Sequence, residues 1–171
     1  MRTVLAILLC TAAVLTAGEN SGRRAPGFAL PDAKMQLYDL ADYRGKIVVL
    51  EFLQTACPHC AAFADVLGRV RQKYGDKVAI LAVVNSAADN QKTVAQYIAG
   101  HGITYPVLFD AGQMQYSYVR SMRFDTPSAF LIDASGTIRN DWEYSLTTHD
   151  IFEGNALMSE IDSLLSSKTK K

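Results

Sequence analysis

Two cysteines stand two residues apart in "VLEFLQTACPHCAAF", Val49 to Phe63, directly after an apolar run. A Cys-x-x-Cys pair serves as half of a zinc site, as a structural disulfide, or as the working end of a redox centre. A closed zinc site needs four ligands, commonly a second Cys or His pair at similar spacing. Beyond Cys57 and Cys60 this chain offers only His59, His101 and His149. His59 lies inside the pair, and the other two form no H-x₃₋₅-H set, so no metal is expected. A disulfide between residues so close in sequence closes a very small loop and restrains little of the unfolded chain. Thiol chemistry is the reading that remains.

The elements that must position the pair are legible around it. "KIVVLEF", Lys46 to Phe52, is β-branched and nearly continuous in apolar residues, as a buried central strand is. Pro58 suits the first turn of a helix. From there Phe63, Leu67, Val70 and Tyr74 recur on one helical face up to Gly75. Cys57 is thus expected at a helix N-terminus, where free N–H groups and the helix dipole favour thiolate over thiol. Cys60, one turn on, is expected alongside it but deeper.

The rest of the chain alternates helix and strand. Lys77–Asn85 and Tyr105–Asp110 read as strands. Asp89–Gly100, with Asp89 as a cap, Gln113–Ser121 and Asn155–Ser167 read as helices. Ser128–Asp133 and Thr137–Trp142 flank "ASG" as a β-hairpin. "FALPDAKMQLYDL" reads as a small N-terminal hairpin on the sheet edge. Parallel and antiparallel strands with helices on both faces predict a three-layer α/β/α sandwich with a mixed central sheet, the thioredoxin arrangement.

Composition limits the partners. Apolar residues make up 49% and charged residues 20%, with 17 basic against 17 acidic side chains, which describes one globular domain. That balance argues against nucleic acid or an anionic lipid surface as the main partner. At the N-terminus, Arg2 precedes the uncharged stretch Val4–Gly18, too short for the roughly 20 residues of a comfortable span but suited to a signal peptide. Residues 1–18 are therefore expected to be a signal peptide or, uncleaved, an N-terminal anchor, and residues 19–171 the thioredoxin-like domain. Thr16-Ala17-Gly18 fits cleavage. Cys10 does not make a lipoprotein site, because Leu9 stands where a small residue is needed. The three cysteines then reduce to Cys57 and Cys60 in an oxidising, extracytoplasmic or periplasmic compartment.

"APGFALPD" (Ala25–Asp32), "LADYRGKIVVLEF" (Leu40–Phe52), "CPHC", "YPVLFD" and "TPSAFLIDASGTI" (Thr126–Ile138) together resemble exported thioredoxin-like proteins of the TlpA/ResA type, relatives of the AhpC/TSA redoxins. The likeness runs from about Ala25 to Leu165. It implies a mid-chain insertion near Asn85–Gln96 bordering the active site. It also implies a cis Pro127 facing the CxxC, with Thr126 and Pro127 holding the substrate chain. The activity implied is thiol–disulfide exchange with protein thiols and disulfides, apocytochrome c or secreted proteins among them, by a monomer served by a redox partner that is membrane-bound in some relatives. No cofactor is needed, since the cysteines carry the electrons.

Two residues depart from that family. Ala56 replaces the usual Trp before the first cysteine, and the segment resembles instead the active site of the periplasmic oxidant DsbA. Glu51, six residues before Cys57, is expected to point into the protein under the CxxC as a desolvated base for Cys60. His59 is expected to favour the Cys57 thiolate and so make the disulfide more oxidising. The scaffold thus implies a reductase and the CPHC an oxidant, which leaves the direction open.

Three other functions share the frame. A thiol peroxidase expects P-x-x-x-T-x-x-C, but Leu50 and Gln54 occupy its Pro and Thr positions. A non-catalytic chaperone or binding module would not depend on the cysteines. Copper delivery expects a wider cysteine spacing and a distant His, which neither His101 nor His149 matches. Asp89 falls near an acidic position of some relatives, yet a helix cap explains it equally well.

Overall fold

The computed structural model describes residues 18–110, 112–119 and 125–168; the signal-peptide stretch 1–17 lies outside them. Seven consecutive apolar-rich residues make β3 (Ile47–Leu53) a strand buried along its whole length. It pairs in parallel with β4 (Val78–Val84) and antiparallel with β6 (Ser128–Ile132). β5 (Val107–Phe109) extends the sheet beyond β4, and β7 (Ile138–Glu143) beyond β6, giving the order β5-β4-β3-β6-β7. The mixed sheet is the one expected, with strand limits displaced by a residue or two. A separate hairpin of β1 (Ala29–Pro31) and β2 (Leu37–Asp39) reaches the sheet edge through a bridge between Asp32 and Leu108.

The two faces of β3 supply two cores. Ile47, Val49 and Leu53 pack toward helices α1 (Pro58–Tyr74), α2 (Gln91–Gly100), α4 (His149–Glu153) and α5 (Asn155–Lys168). Val48, Leu50 and Phe52 pack on the other side against Met114 and Tyr118 of α3 (Gln113–Val119). Helices cover both faces, so the fold is a three-layer α/β/α sandwich.

The predicted stripe of α1 is the buried one: Phe63, Leu67 and Val70 are fully enclosed and Tyr74 nearly so. Each such apolar side chain contributes about 1.5–3 kcal/mol on burial. Gly75 ends α1 at φ 54°, a value that favours glycine. Among the described residues no helix is long and apolar enough to cross a membrane.

One expectation needs correction. Asn90, not Asp89, caps α2: its side chain accepts from the Lys92 and Thr93 N–H groups in a capping box. The predicted helix from Gln113 is described to Val119, and residues 120–124 lie outside the described residues. Helix α4 was not anticipated, because five residues are too few for a periodic signal. Gly154 separates it from α5 at φ 105°. A Cβ there would meet Val66 Cγ1 at 2.7 Å, so the chain can pass this point only as glycine.

Candidate active site

β3 ends at Leu53, and a short turn delivers the chain to the first residue of α1. The Cys57 N–H donates to the Gln54 carbonyl at 3.1 Å, closing that turn. Cys57 is the N-cap of α1 with extended backbone (φ −87°, ψ 117°), and Pro58 opens the helix. The Cys57 sulfur accepts the Cys60 N–H at 3.3 Å, so one of the helix's free donors points at the thiol. The sequence places Cys57 correctly: half-buried at the surface, with Cys60 wholly buried one turn on.

The second wall comes from far along the chain. The Thr126–Pro127 peptide bond is cis, and the Cys57 thiol donates to the Thr126 carbonyl at 3.4 Å. The Ser128 hydroxyl donates to the Asp125 carbonyl at 2.7 Å and ties the start of β6 to this loop. The Tyr144 N–H donates to the Pro127 carbonyl at 3.0 Å. Thr126 and Pro127 therefore stand beside the CxxC, where the resemblance put them.

Glu51 lies inside the protein, as its strand parity requires. It is fully buried, and neither carboxylate oxygen has a hydrogen-bond partner among the described residues. Burial, and then the nearby Cys57, pushes its carboxyl well above the ordinary range. Burial also pushes the Cys60 thiol up, followed by its hydrogen bond with Cys57; the Glu51 and Cys57 charges add to this. Cys60 thus stays a thiol until a base takes its proton. The buried Glu51 carboxyl is a titratable group whose charge reaches Cys60.

His59 points outward and is exposed. Its ring stacks on Tyr144 with centroids 4.0 Å apart and planes inclined by 21°. Tyr144 in turn meets Phe152 at 5.5 Å, and Phe152 meets Phe63 at 4.8 Å, so the imidazole ends an aromatic chain rooted in the core. Sequence reasoning missed Tyr144 altogether, since nothing at position 144 signals contact with residue 59.

It also missed what Asp89 does. The Asp89 carboxylate accepts from the Thr55 N–H at 3.1 Å and from the Thr55 hydroxyl, and the Thr93 hydroxyl donates to it at 3.3 Å. Asp89 clamps the turn that carries Cys57 to the start of α2. Its neighbour Asn90 does the capping.

The predicted site residues Glu51, Cys57, Pro58, His59, Cys60, Thr126 and Pro127 therefore fall in one region. His101 and His149 do not: His101 faces Asp65 at 4.0 Å and His149 faces Glu153 at 3.7 Å. Among the described residues no group of three or more His, Cys, Asp or Glu side chains is arranged to hold a metal ion.

The family model named AhpC/TSA matches residues 21–141. The chain belongs to the AhpC/TSA family. Within that family it is similar to the thiol-disulfide oxidoreductase ResA of Geobacillus thermodenitrificans, with 32% identity over 164 residues, 88% of this chain and 90% of the relative. A Chlorobium tepidum structure described as a thiol:disulfide interchange protein DsbE superposes with a TM-score of 0.73 at 26% identity, covering 85% of this chain and 97% of its own. A Mycobacterium tuberculosis protein described as a peroxiredoxin is 32% identical over 130 residues, 68% of this chain and 80% of its own. This AhpC/TSA member is a thiol-disulfide oxidoreductase on a thioredoxin fold.

Proposed function

We propose that this protein exchanges disulfides with protein substrates outside the cytoplasm, through Cys57 as nucleophile and Cys60 as resolving thiol. The observation that carries the assignment is the placement of the half-buried Cys57 sulfur. It receives an N–H at the start of α1, touches the Thr126 carbonyl, and has buried Cys60 and Glu51 behind it.

In the reducing direction the Cys57 thiolate attacks a substrate disulfide and expels one substrate thiolate, leaving a mixed disulfide in the groove beside Thr126 and Pro127. Glu51 then accepts the Cys60 proton. The Cys60 thiolate attacks Cys57 Sγ, the Cys57–Cys60 bond forms and the second substrate thiolate departs. The substrate disulfide gains two electrons and the protein dithiol loses them. Oxidation of a substrate dithiol runs the same steps backwards. The export reading rests on the pattern of residues 1–18, which would place the dithiol pair in an oxidising compartment.

The TlpA/ResA-type resemblance of the scaffold favours the reducing direction. A second reading, dithiol oxidant, is favoured by His59, whose imidazole is held at the CPHC by Tyr144. Equilibration of the purified protein with glutathione separates the two. A Cys57–Cys60 potential near that of thioredoxin, about −270 mV, excludes the oxidant, and one near that of DsbA, about −120 mV, excludes the reductase.

A further inference from the structure

Glu51 is not the only polar group left unpartnered in its layer. The hydroxyls of Tyr97 on α2 and of Tyr105, just before β5, are likewise buried with no hydrogen-bond partner among the described residues. Both tyrosines are only 5% exposed. They belong to the same side of the sheet as Glu51. Strand register gives Glu51 small neighbours: its Cα partners are Ala82 on β4 and Ala129 on β6, both fully buried. Two alanines flanking a glutamate leave space around its carboxylate that larger side chains would fill. Tyr105 is held at this level because the Ala82 N–H donates to the Pro106 carbonyl at 3.0 Å, and Ala82 is also the Cα partner of Val107.

An unpaired buried hydroxyl or carboxylate oxygen costs about 1–3 kcal/mol. Four such atoms in one layer are too many to leave dry. A buried water needs two to four polar partners, and this cluster offers them. We propose that Glu51, Tyr97 and Tyr105 line a hydrated chamber beneath Cys60, in which bound water links the two phenol hydroxyls to the Glu51 carboxylate. The phenols are positioning residues: through water they donate to the carboxylate, favour its charged form and hold it where it can take the Cys60 proton. The catalytic part of this inference rests on the role given to Glu51 above.

The Glu51 charge opposes ionisation of both phenols, which burial already pushes far up, so the hydroxyls stay protonated donors. Other titratable groups facing the chamber are Cys57 and Cys60 on α1. Asp65 of α1 acts on both tyrosines, and His101 packs on Tyr97 with centroids 4.8 Å apart. The neighbouring positions on β4 and β6 add no charge.

The test uses the reduced full chain, with the Glu51 carboxyl followed by ¹³C NMR and identified by its loss in Glu51→Gln. Tyr97→Phe and Tyr105→Phe are each expected to raise the proton affinity of Glu51 about three- to tenfold. They are expected to move the pH profile of mixed-disulfide resolution the same way, with melting temperature equal to or below the parent's. A double variant whose Glu51 midpoint stays within about 0.2 pH unit of the parent's overturns the proposal. So do Phe variants that melt higher, which is the behaviour of a dry hydroxyl relieved of burial. Independently of any variant, the Tyr97 and Tyr105 rings of the parent should show magnetisation transfer from a long-lived internal water, and its absence overturns the chamber. Should Glu51 not serve Cys60 at all, Glu51→Gln leaves the resolution profile unmoved while the Glu51 titration still responds to the tyrosines. The two failures are therefore separable.

Discussion

His59 lies flat on Tyr144, ring centroids 4.0 Å apart, and the Tyr144 N–H holds the Pro127 carbonyl. One residue thus joins the variable part of the CPHC to the opposite wall of the groove. The stack fixes where the imidazole stands in the CPHC, and the groups placed around an attacking thiol set how oxidising its disulfide is.

Replacing Tyr144 with Leu keeps the backbone bond to Pro127 and removes the platform. Stability should fall by about 0.5–1.5 kcal/mol, the worth of an aromatic pair. The Cys57–Cys60 couple should become less oxidising by about 15–30 mV, equivalent to about 0.7–1.4 kcal/mol. Glutathione equilibria on Tyr144→Leu, His59→Ala and the double variant check this. If the double variant shows the sum of two independent shifts, the stack does not carry the effect.

Glu51 makes stability depend on pH in an uncommon direction. Its folded-state proton affinity is raised, so the folded protein binds more protons than the unfolded chain once pH exceeds the ordinary carboxylate value of about 4.3. Stability contributed by the neutral carboxyl is present at low pH and is lost as pH rises toward the folded-state value. The slope approaches about 1.4 kcal/mol per pH unit within that window. Urea unfolding of the reduced protein from pH 4 upward should show this decline, and Glu51→Gln should flatten it. Parallel curves for the two proteins would remove Glu51 as its source.

What could be read from the chain was the part written locally. β3, α1 and the α5 stripe carry their own periodicity, and Cys57 and Cys60 stand at their junction, so the centre of the site was legible together with its elements. Glu51 was legible too, because alternation along a buried strand fixes which face a residue takes. Asp89 and Tyr144 were not. Each acts through one long-range contact, to Thr55 and to His59, made by side chains whose types have ordinary uses as cap and core residue. Helix α4 escaped because a single turn leaves no period to detect.

The Asp89 clamp predicts a coupled loss. Asp89→Ala strands the Thr55 N–H and frees the turn before Cys57, which should cost about 1–2 kcal/mol of stability. Thr55→Val removes only the hydroxyl arm and should cost less. A double-mutant cycle by urea unfolding should return a coupling of about 1 kcal/mol between the two positions. Asp89→Asn, which keeps acceptor oxygen in place, should recover part of the exchange rate lost in Asp89→Ala. No recovery would mean that the carboxylate acts by charge and not by holding the turn.

The two cysteines should fail in different ways. Cys57 is the half-buried thiol with the N–H and the Thr126 carbonyl at its sulfur, whereas Cys60 has no exposure at all. Cys57→Ser should therefore abolish both disulfide exchange and mixed-disulfide formation. Cys60→Ser should still attack but cannot resolve, so it should accumulate a covalent adduct with a disulfide-bearing protein substrate, visible by non-reducing electrophoresis and released by dithiothreitol. Peroxide supplies the contrasting outcome. A peroxidase needs only the attacking cysteine for its first turnover, and peroxide consumption that survives Cys60→Ser but not Cys57→Ser would mark Cys57 as peroxidatic. With Leu50 and Gln54 at the positions where a peroxidase carries Pro and Thr, the expected result is no consumption above that of a free thiol. Full function retained with both cysteines replaced would instead make the fold a binding module and remove exchange chemistry from its role.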